Sequence, residues 1–335
     1  MTELSVREPL LDVRNMSISV AGRAGETTVV HDVSFTLAHN ETLGVVGESG
    51  CGKSISMLGL VGLLPHGAKI TAGTAKLNGE DLLKASDARL REIRGDKVSF
   101  VFQDPMTAFN PVVKIGEQIS EVLVYKKGMS KSDARRRVGD LFELVGIPGA
   151  RRRIDDYPHQ LSGGMRQRAM IAMGLAGDPD ILIADEPTTA LDVTIQSQIV
   201  DLIKDIKRET EMAVVWITHD LALVSGVVDK ISVFYSGRVV EQAPVDDLFA
   251  RPTHPYTKGL LASLPTLDGP RGGKLRSIGG SPPDPAKMPP GCAFAPRCDR
   301  ASASCLKGVP KLASLAFPEN HLVACINASS QAEGA

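Results

Sequence analysis

The chain has 335 residues, which is long for one domain, so we expect either one large domain with an appendage or two domains. Its 38 lysine and arginine residues balance 39 aspartate and glutamate residues without a long basic or acidic block, which argues against a broad nucleic-acid surface. The N-terminus lacks the pattern of a secretory signal, and the longest apolar stretch, from Ile55, is far shorter than the roughly 20 residues of a membrane-spanning helix. We therefore expect a cytosolic protein that reaches a membrane only through a partner.

The N-terminal part of the chain predicts an antiparallel sheet. Apolar and polar residues alternate over residues 10–20 and again over 27–37, which is the pattern of half-buried strands. The dipeptide Asn78–Gly79 favours a tight hairpin turn between two further strands. We expect this sheet to lean on the core that the later segments form.

Five continuous apolar segments predict the strands of a buried parallel sheet. Helix-length stretches separate them, as in a sheet whose faces are covered by helices. The segments lie at residues 42–47, 97–102, 180–185, 212–218 and 230–235. After about residue 265 the composition becomes rich in proline and glycine, which predicts an extended, loop-built C-terminal segment.

The segment GESGCGKS follows the first of these strands and leads into a helix-like apolar stretch. Its glycines let backbone N–H groups turn towards a phosphate, and the start of the helix adds a positive dipole. In this pattern Lys53 reaches the β- and γ-phosphates of ATP, and the Ser54 hydroxyl ligates Mg²⁺. A Gly-rich structural turn is the alternative, which the strand-to-helix context disfavours. The predicted nucleotide-binding residues are Gly47, Glu48, Ser49, Gly50, Cys51, Gly52, Lys53 and Ser54.

The segment ILIADEP carries a buried strand into Asp185 and Glu186. Ligands of open α/β sheets collect at the carboxyl ends of the strands. We therefore predict that Asp185 contributes to the Mg²⁺ shell and that Glu186 polarises the attacking water. An acidic strand end that only caps the next turn is the alternative, and the phosphate-binding loop in the same chain makes it the weaker one.

The segment LSGGMRQR, residues 161–168, places Ser162, Gly163 and Gly164 at the start of a helical stretch. The start of a helix is a second anion-binding site. A monomeric enzyme with a phosphate-binding loop has no use for it. The pattern therefore predicts a dimer in which ATP lies between the loop of one subunit and this helix of its neighbour.

In this order, together with Gln103 and His219, these motifs closely resemble an ATP-binding cassette (ABC) ATPase. The resemblance implies an α/β fold: a P-loop NTPase core of the ABC type with an antiparallel β subdomain, a helical subdomain and a loop-rich C-terminal extension. We expect the ATPase domain over residues 1–250, its helical subdomain over about 104–165, and the extension over 251–335.

By the same resemblance, Gln103 senses Mg²⁺ and the γ-phosphate, Asp192 communicates across the dimer, and His219 contacts the γ-phosphate. Each residue taken singly has a plainer alternative. Gln103 fits a turn residue, Asp192 a helix N-cap, and His219 a satisfied histidine at a strand end.

A narrower resemblance covers nearly the whole chain. The segments GRVVEQAPVDDLF, RPTHPYTKGLLASLP and CAFAPRC are similar to the ATPase subunits of bacterial dipeptide and oligopeptide importers. This implies ATP hydrolysis that energises peptide uptake at the cytoplasmic face of the inner membrane, with no nucleic acid bound. The implied partners are two transmembrane permease subunits, an extracytoplasmic peptide-binding protein, and a second related ATPase subunit or a copy of this chain.

Two alternatives remain open at this point. Import of another cargo, such as nickel, glutathione or an oligosaccharide, fits the same ATPase, because other proteins choose the cargo. A soluble ABC ATPase that acts on nucleic acid or ribosomes is the other alternative. Such proteins tend to contain long coiled-coil insertions or two fused cassettes, and the sequence has neither.

The C-terminal part of the chain contains four of the five cysteines: Cys292, Cys298, Cys305 and Cys325. Disulfides are rare in a reducing cytosol, and four thiolates suit either tetrahedral zinc or a [4Fe–4S] cluster. The spacing is wide for a zinc knuckle, and the family resemblance implies the iron–sulfur cluster in a structural role. Buried free cysteines are the third alternative. His321, four residues before Cys325, is expected to be a surface histidine, with a further metal ligand as the alternative.

Overall fold

A computed structural model of the chain describes residues 8–22, 25–189, 192–264, 277–315 and 320–328. The first part of the segment predicted to be extended, residues 265–276, lies outside these ranges. Over the described ranges, no helix is long and apolar enough to cross a membrane.

The strands range in length from 2 to 13 residues. Within the described residues they are β1 (Leu11–Gly22), β2 (Gly25–Leu37), β3 (Thr42–Val46), β4 (Ala68–Leu77), β5 (Glu80–Asp81), β6 (Val98–Val101), β7 (Ile181–Asp185), β8 (Ala213–Thr218), β9 (Lys230–Tyr235), β10 (Arg238–Pro244), β11 (Ala313–Ser314) and β12 (Leu322–Val323).

The α-helices range from single turns to 17 residues. In the described part of the chain they are α1 (Lys53–Leu60), α2 (Asp87–Ile93), α3 (Pro105–Ala108), α4 (Ile115–Lys127), α5 (Lys131–Leu144), α6 (Ala150–Arg153), α7 (Gly163–Leu175), α8 (Val193–Glu209), α9 (Leu221–Val224), α10 (Val245–Ala250) and α11 (Pro255–Ala262).

One compact unit consists of the described parts of residues 1–37, 42–83 and 218–335. It contains the antiparallel sheet β2-β1-β4-β5. Asn78 and Gly79 join β4 to β5 with φ angles of 48° and 85°, which confirms the predicted hairpin turn. Alternation along β1 and β2 places apolar side chains such as Val13 and Val33 in the interior, fully buried.

The same unit contains the strand order β11-β12-β10-β9-β3. β3 and β9 are parallel, as predicted, whereas β10 turns back antiparallel to β9. β12, from the C-terminal extension, pairs with β10 through Glu241 and Val323. The extension is therefore not built from loops alone, because part of it continues this run of strands.

The second compact unit consists of the described parts of residues 38–41 and 84–217. β6, β7 and β8 are parallel neighbours in the order β8-β7-β6, and side chains such as Ile183 and Val215 are fully buried. The continuous apolar runs reflect this burial on both faces. Helices α3 to α6 all begin and end within residues 104–165.

Candidate functional site

The predicted phosphate-binding loop connects β3 to α1. Gly47 has no room for a side chain, since a Cβ atom there would lie 2.2 Å from the carbonyl oxygen of Phe234. Gly50 and Gly52 adopt φ angles of 75° and 101°, in the region that glycine enters without steric cost. The loop therefore needs these glycines for its course, and it delivers Lys53 as the first residue of α1.

The Lys53 ammonium group is held by the loop itself. Its Nζ donates to the carbonyl oxygens of Gly47 at 2.7 Å and Glu48 at 3.0 Å, and the residue is only 5% exposed. Cys51 Sγ lies 3.8 Å from the same nitrogen, and burial raises the pKa of this thiol, so it stays neutral near pH 7. Ser54, the next residue of α1, is partly buried. The loop thus concentrates positive charge and backbone amides where an anion is expected.

Gln103 and Glu186 come together in the second unit. Asp185 ends β7 and is buried, and Glu186 follows with a φ of 46°, a left-handed conformation that is uncommon for a non-glycine residue. Glu186 Oε2 accepts a hydrogen bond from Gln103 Nε2 at 3.0 Å and another from Thr189 Oγ1 at 2.8 Å. These two donors fix the direction in which the carboxylate points.

The predicted motif Ser162–Gly164 starts α7. Ser162 is its N-cap, and its Oγ accepts a hydrogen bond from the N–H of Met165 at 3.3 Å. A Cβ atom at Gly164 would lie 3.3 Å from a methyl group of Ile195, and Asp192 caps α8 by accepting from the N–H of Ile195 at 2.9 Å. The motif and Asp192 are therefore neighbours, and the side chains of Ser162 and Asp192 are exposed.

His219 directly follows β8, and its side chain is exposed. The next residue, Asp220, caps the short helix α9 by accepting hydrogen bonds from the N–H groups of Ala222 and Leu223. The cap fixes the backbone course just after His219.

Two residues that contact the predicted phosphate-binding loop escaped the sequence analysis, Arg297 and Tyr256. The Arg297 guanidinium group forms a bidentate ion pair with the Glu48 carboxylate, at 2.7 and 2.9 Å. The Tyr256 hydroxyl oxygen accepts a hydrogen bond from the N–H of Glu48 at 2.9 Å. Both residues lie in segments that the family resemblance singled out, RPTHPYTKGLLASLP and CAFAPRC, but nothing local in the sequence marks an arginine as buried.

The four C-terminal cysteines line one narrow cavity, together with His254 and Phe294. They are Cys292, Cys298, Cys305 and Cys325. In the described residues, however, no group of three or more His, Cys, Asp or Glu side chains is arranged to hold a metal ion. The arrangement gives no support to the predicted iron–sulfur cluster or to zinc.

The thiols instead have other partners. Burial raises the pKa of Cys298 and of Cys325. A hydrogen bond from the backbone of Arg300 to Cys298, and one from the backbone of Asn327 to Cys325, oppose that rise. Cys305 is different, because a hydrogen bond from Ser302 lowers the pKa of its thiol. Its Sγ lies 3.4 Å from Ser302 Oγ.

His321 is not a surface histidine, contrary to the prediction. It is fully buried, and its Nε2 lies 2.6 Å from Oε1 of the equally buried Glu241. The same carboxylate accepts hydrogen bonds from the N–H groups of Thr253 at 2.6 Å and His254 at 3.0 Å. The Glu241 charge is thus satisfied internally, as a buried charge must be.

Comparison with known protein families gives two matches along the chain. A family described as ABC transporter matches residues 30–189, and one described as Oligopeptide/dipeptide transporter, C-terminal region, matches residues 240–305. The second match covers Cys292, Cys298 and Cys305 as well as Arg297.

Curated relatives match along almost their whole length. The dipeptide transport ATP-binding protein DppD of Bacillus subtilis is 47% identical over 98% of this chain and 97% of its own length. The oligopeptide transport ATP-binding protein OppD of Salmonella typhimurium is 46% identical over 94% of this chain and 93% of its own.

Solved structures show the same fold. A dimeric post-hydrolysis state of the ATP-binding cassette MJ0796, bound to ADP and Pi, superposes with a TM-score of 0.63 at 29% identity. The match covers 70% of this chain and 98% of the cassette. This likeness confirms the predicted α/β nucleotide-hydrolase fold.

Proposed function

The chain belongs to the ABC transporter family, in the group of ATP-binding subunits with the oligopeptide/dipeptide C-terminal region, and from this premise we propose that it powers the import of di- and oligopeptides. It is an ATPase. The observation that carries the proposal is the presence in one chain of a phosphate-binding loop and that C-terminal region. The names of the peptide-transport relatives support peptides as the cargo.

The residues of the phosphate-binding loop and the two acidic residues, Asp185 and Glu186, have different roles in the proposed ATP hydrolysis. Lys53 neutralises the β- and γ-phosphates, and the loop amides bind their oxygens. Mg²⁺ would be held by Ser54, Gln103 and Asp185, whose hydroxyl, amide and carboxylate oxygens are donors that this ion prefers. When bound, the ion would neutralise phosphate charge. Glu186 orients and polarises the attacking water. Its two hydrogen bonds support this role because they hold the carboxylate in one direction.

ATP hydrolysis requires two cassettes in this proposal. Ser162, Gly163 and Gly164 bind the nucleotide held by the partner subunit, through the N-terminus of the 13-residue helix α7. Asp192 relays the state of one site to the other, and His219 contacts the γ-phosphate. The dimeric cassette MJ0796 supports this arrangement. The partner is a related ATPase subunit or a second copy of this chain.

The remaining partners are two transmembrane permease subunits and an extracytoplasmic peptide-binding protein. We place the chain at the cytoplasmic face of the inner membrane as a peripheral subunit that binds no nucleic acid. Helices α3 to α6 dock the permease. Exposed apolar side chains of this region support the docking, with Val112 78% and Tyr125 83% exposed. Closure and reopening of the ATPase pair then switch the permease.

The C-terminal cysteines are proposed to bind a [4Fe–4S] cluster, with zinc as the alternative. The proposal rests on the number of cysteines and on the family resemblance, because Cys292, Cys298, Cys305 and Cys325 line one cavity without being gathered as ligands of one ion. Such a cluster would fix a segment with little helix or strand of its own. Iron, sulfide and zinc analysis of protein purified without oxygen tests it. About four irons and four sulfides per chain are expected for the cubane, and metal-free protein would exclude both alternatives.

Peptide uptake by cells with and without this chain tests the cargo. Deletion should abolish the uptake of labelled di- and tripeptides, and the wild-type chain should restore it. Glu186→Gln, which should bind ATP but turn over very slowly, should not restore it. Normal peptide uptake in the deletion strain, with lost uptake of nickel, glutathione or an oligosaccharide, would reassign the cargo and leave the ATPase function intact.

A further inference from the structure

The phosphate-binding loop carries an acidic residue, Glu48, close to the place where a polyanion binds. The Glu48 carbonyl oxygen is 3.0 Å from Lys53 Nζ, the cation that meets the phosphates. An isolated carboxylate on this loop residue would oppose ATP binding, because it would repel the phosphates.

Arg297, from the C-terminal extension, neutralises this carboxylate. The pair is bidentate, with Nη1–Oε2 at 2.7 Å and Nη2–Oε1 at 2.9 Å, and the arginine side chain is only 4% exposed. Bidentate arginine–carboxylate pairs are among the stronger hydrogen-bonded ion pairs in proteins. The contact joins residues 249 positions apart in the sequence.

The geometry of Arg297 is fixed by its surroundings. Its Nε donates to the carbonyl oxygen of Gly279 at 2.8 Å, and its Nη2 donates to that of Ile278 at 3.2 Å. The guanidinium carbon lies 5.7 Å from the centre of the Tyr235 ring and 5.9 Å from that of Phe294. An arginine held by these contacts is preorganised to meet Glu48 in one orientation.

A second contact from the extension reaches the same loop residue. Tyr256 is fully buried, and its hydroxyl accepts the N–H of Glu48. Its ring packs at 4.7 Å from Tyr235 and 5.4 Å from Phe294, measured between centroids. Glu48 is therefore fixed at its backbone by Tyr256 and at its carboxylate by Arg297.

We propose that Arg297 is a positioning residue for ATP binding, which holds and neutralises Glu48 so that the phosphate-binding loop presents net positive charge to the nucleotide. This rests on the proposed ATP-binding role of the loop. It gives the C-terminal extension a task in the ATPase site itself, separate from any metal bound by the cysteines.

The experiment is a double-mutant cycle on the full chain. Arg297→Ala, Glu48→Gln and the double variant are compared with the wild type for binding of a slowly hydrolysed ATP analogue and for ATPase kinetics. Lys307→Ala, which removes an exposed cation of the same extension, is the control. Arg297→Lys tests the bidentate geometry, and thermal unfolding of each variant reports folding.

Arg297→Ala should raise Kd and KM for ATP about tenfold or more with little change in kcat, because the exposed carboxylate acts on bound nucleotide in the ground and transition states alike. The double variant should recover most of this loss, since it no longer contains the carboxylate. Arg297→Lys should recover part of it. Lys307→Ala should match the wild type.

Two outcomes overturn the inference. Wild-type affinity in Arg297→Ala would show that the pair does not matter for ATP. A loss that Glu48→Gln fails to recover, accompanied by lower thermal stability, would show that Arg297 only supports folding. Failure of the wild-type chain to bind ATP would contradict the proposed function of the loop. That result depends on the wild type alone, so it is distinguishable from a failure of the inference about Arg297.

Discussion

Gln103 Nε2 donates a hydrogen bond to Glu186 Oε2 at 3.0 Å, although the two residues are 83 positions apart. The same oxygen accepts from Thr189 Oγ1 at 2.8 Å. The residue proposed to act on water is thus oriented by a residue proposed to sense Mg²⁺. If Gln103 binds Mg²⁺ as proposed, this hydrogen bond links occupancy of the metal site to the direction of the Glu186 carboxylate.

Thr189→Val removes a donor to the Glu186 carboxylate without touching the proposed Mg²⁺ ligands. We expect kcat to fall about tenfold, because a misdirected carboxylate orients water poorly. KM for ATP should change little. Thr210→Val, which removes a hydroxyl that donates to the Ile206 carbonyl oxygen, is the matched control. Equal kcat values for the two variants would contradict the orienting role of Thr189.

Ser162→Ala separates a cap from a nucleotide contact. Ser130 caps α5 in the same way as Ser162 caps α7, each accepting one backbone N–H at 3.2 and 3.3 Å. Both alanine substitutions should lower the free energy of unfolding by about 1 kcal/mol. Only Ser162→Ala should also reduce ATP hydrolysis by the assembled dimer. Equal loss of ATP hydrolysis in both variants would show that Ser162 acts only as a helix cap.

Local pattern predicted most of the secondary structure and the loop. The apolar runs over β3 and β7 to β9 reflect burial of neighbouring residues, and Asn78–Gly79 adopts the left-handed angles that its side chains permit. Periodicity and turn chemistry act over a few residues, so a sequence displays them directly. The predicted phosphate-binding loop belongs to the same class, because its glycines and lysine lie within one short segment.

Long-range pairing could not be predicted in this way. Arg297 and Glu48 are far apart in the sequence, and neither has a local pattern that marks it as paired. His321 and Glu241 were missed for the same reason, because a polar residue is read as exposed unless its partner is known. The cysteines differ again. Their count indicated a metal, but count does not determine where four thiols point.

Gly47→Ala should destabilise the fold strongly. The new Cβ atom would lie 2.2 Å from the carbonyl oxygen of Phe234 and 2.8 Å from Cys51 Sγ, so backbone must move. We expect a loss of at least about 2 kcal/mol in urea-induced unfolding. Gly50→Ala, at a φ of 75° but with nothing within 4 Å of its Cβ position, should lose about 1 kcal/mol. A larger loss of stability in Gly50→Ala than in Gly47→Ala would show that the backbone angle, and not the space for a side chain, is the reason for glycine in this loop.

Stability should fall in acid because of His254. Burial lowers the pKa of His254 to about 4, partly opposed by Glu241, whereas a free histidine titrates near 6.5. Between these values the unfolded chain binds a proton that the folded chain excludes, so the free energy of unfolding decreases as the pH falls from about 6.5 to 4. The full effect is about 3 kcal/mol, lost progressively over this window, while above pH 6.5 the contribution is complete and constant.

His254→Gln should flatten this part of the pH profile, measured by urea unfolding at steps between pH 4 and 7.5. The variant will be less stable at every pH, because His254 Nδ1 accepts a hydrogen bond from the N–H of Tyr256 at 3.1 Å. The quantity compared is therefore the slope of the free energy of unfolding against pH. His66→Gln, which changes an exposed histidine, should keep the wild-type slope. Parallel profiles for all three proteins would contradict this prediction, because they would show that His254 binds its proton at the same pH in the folded and unfolded chains.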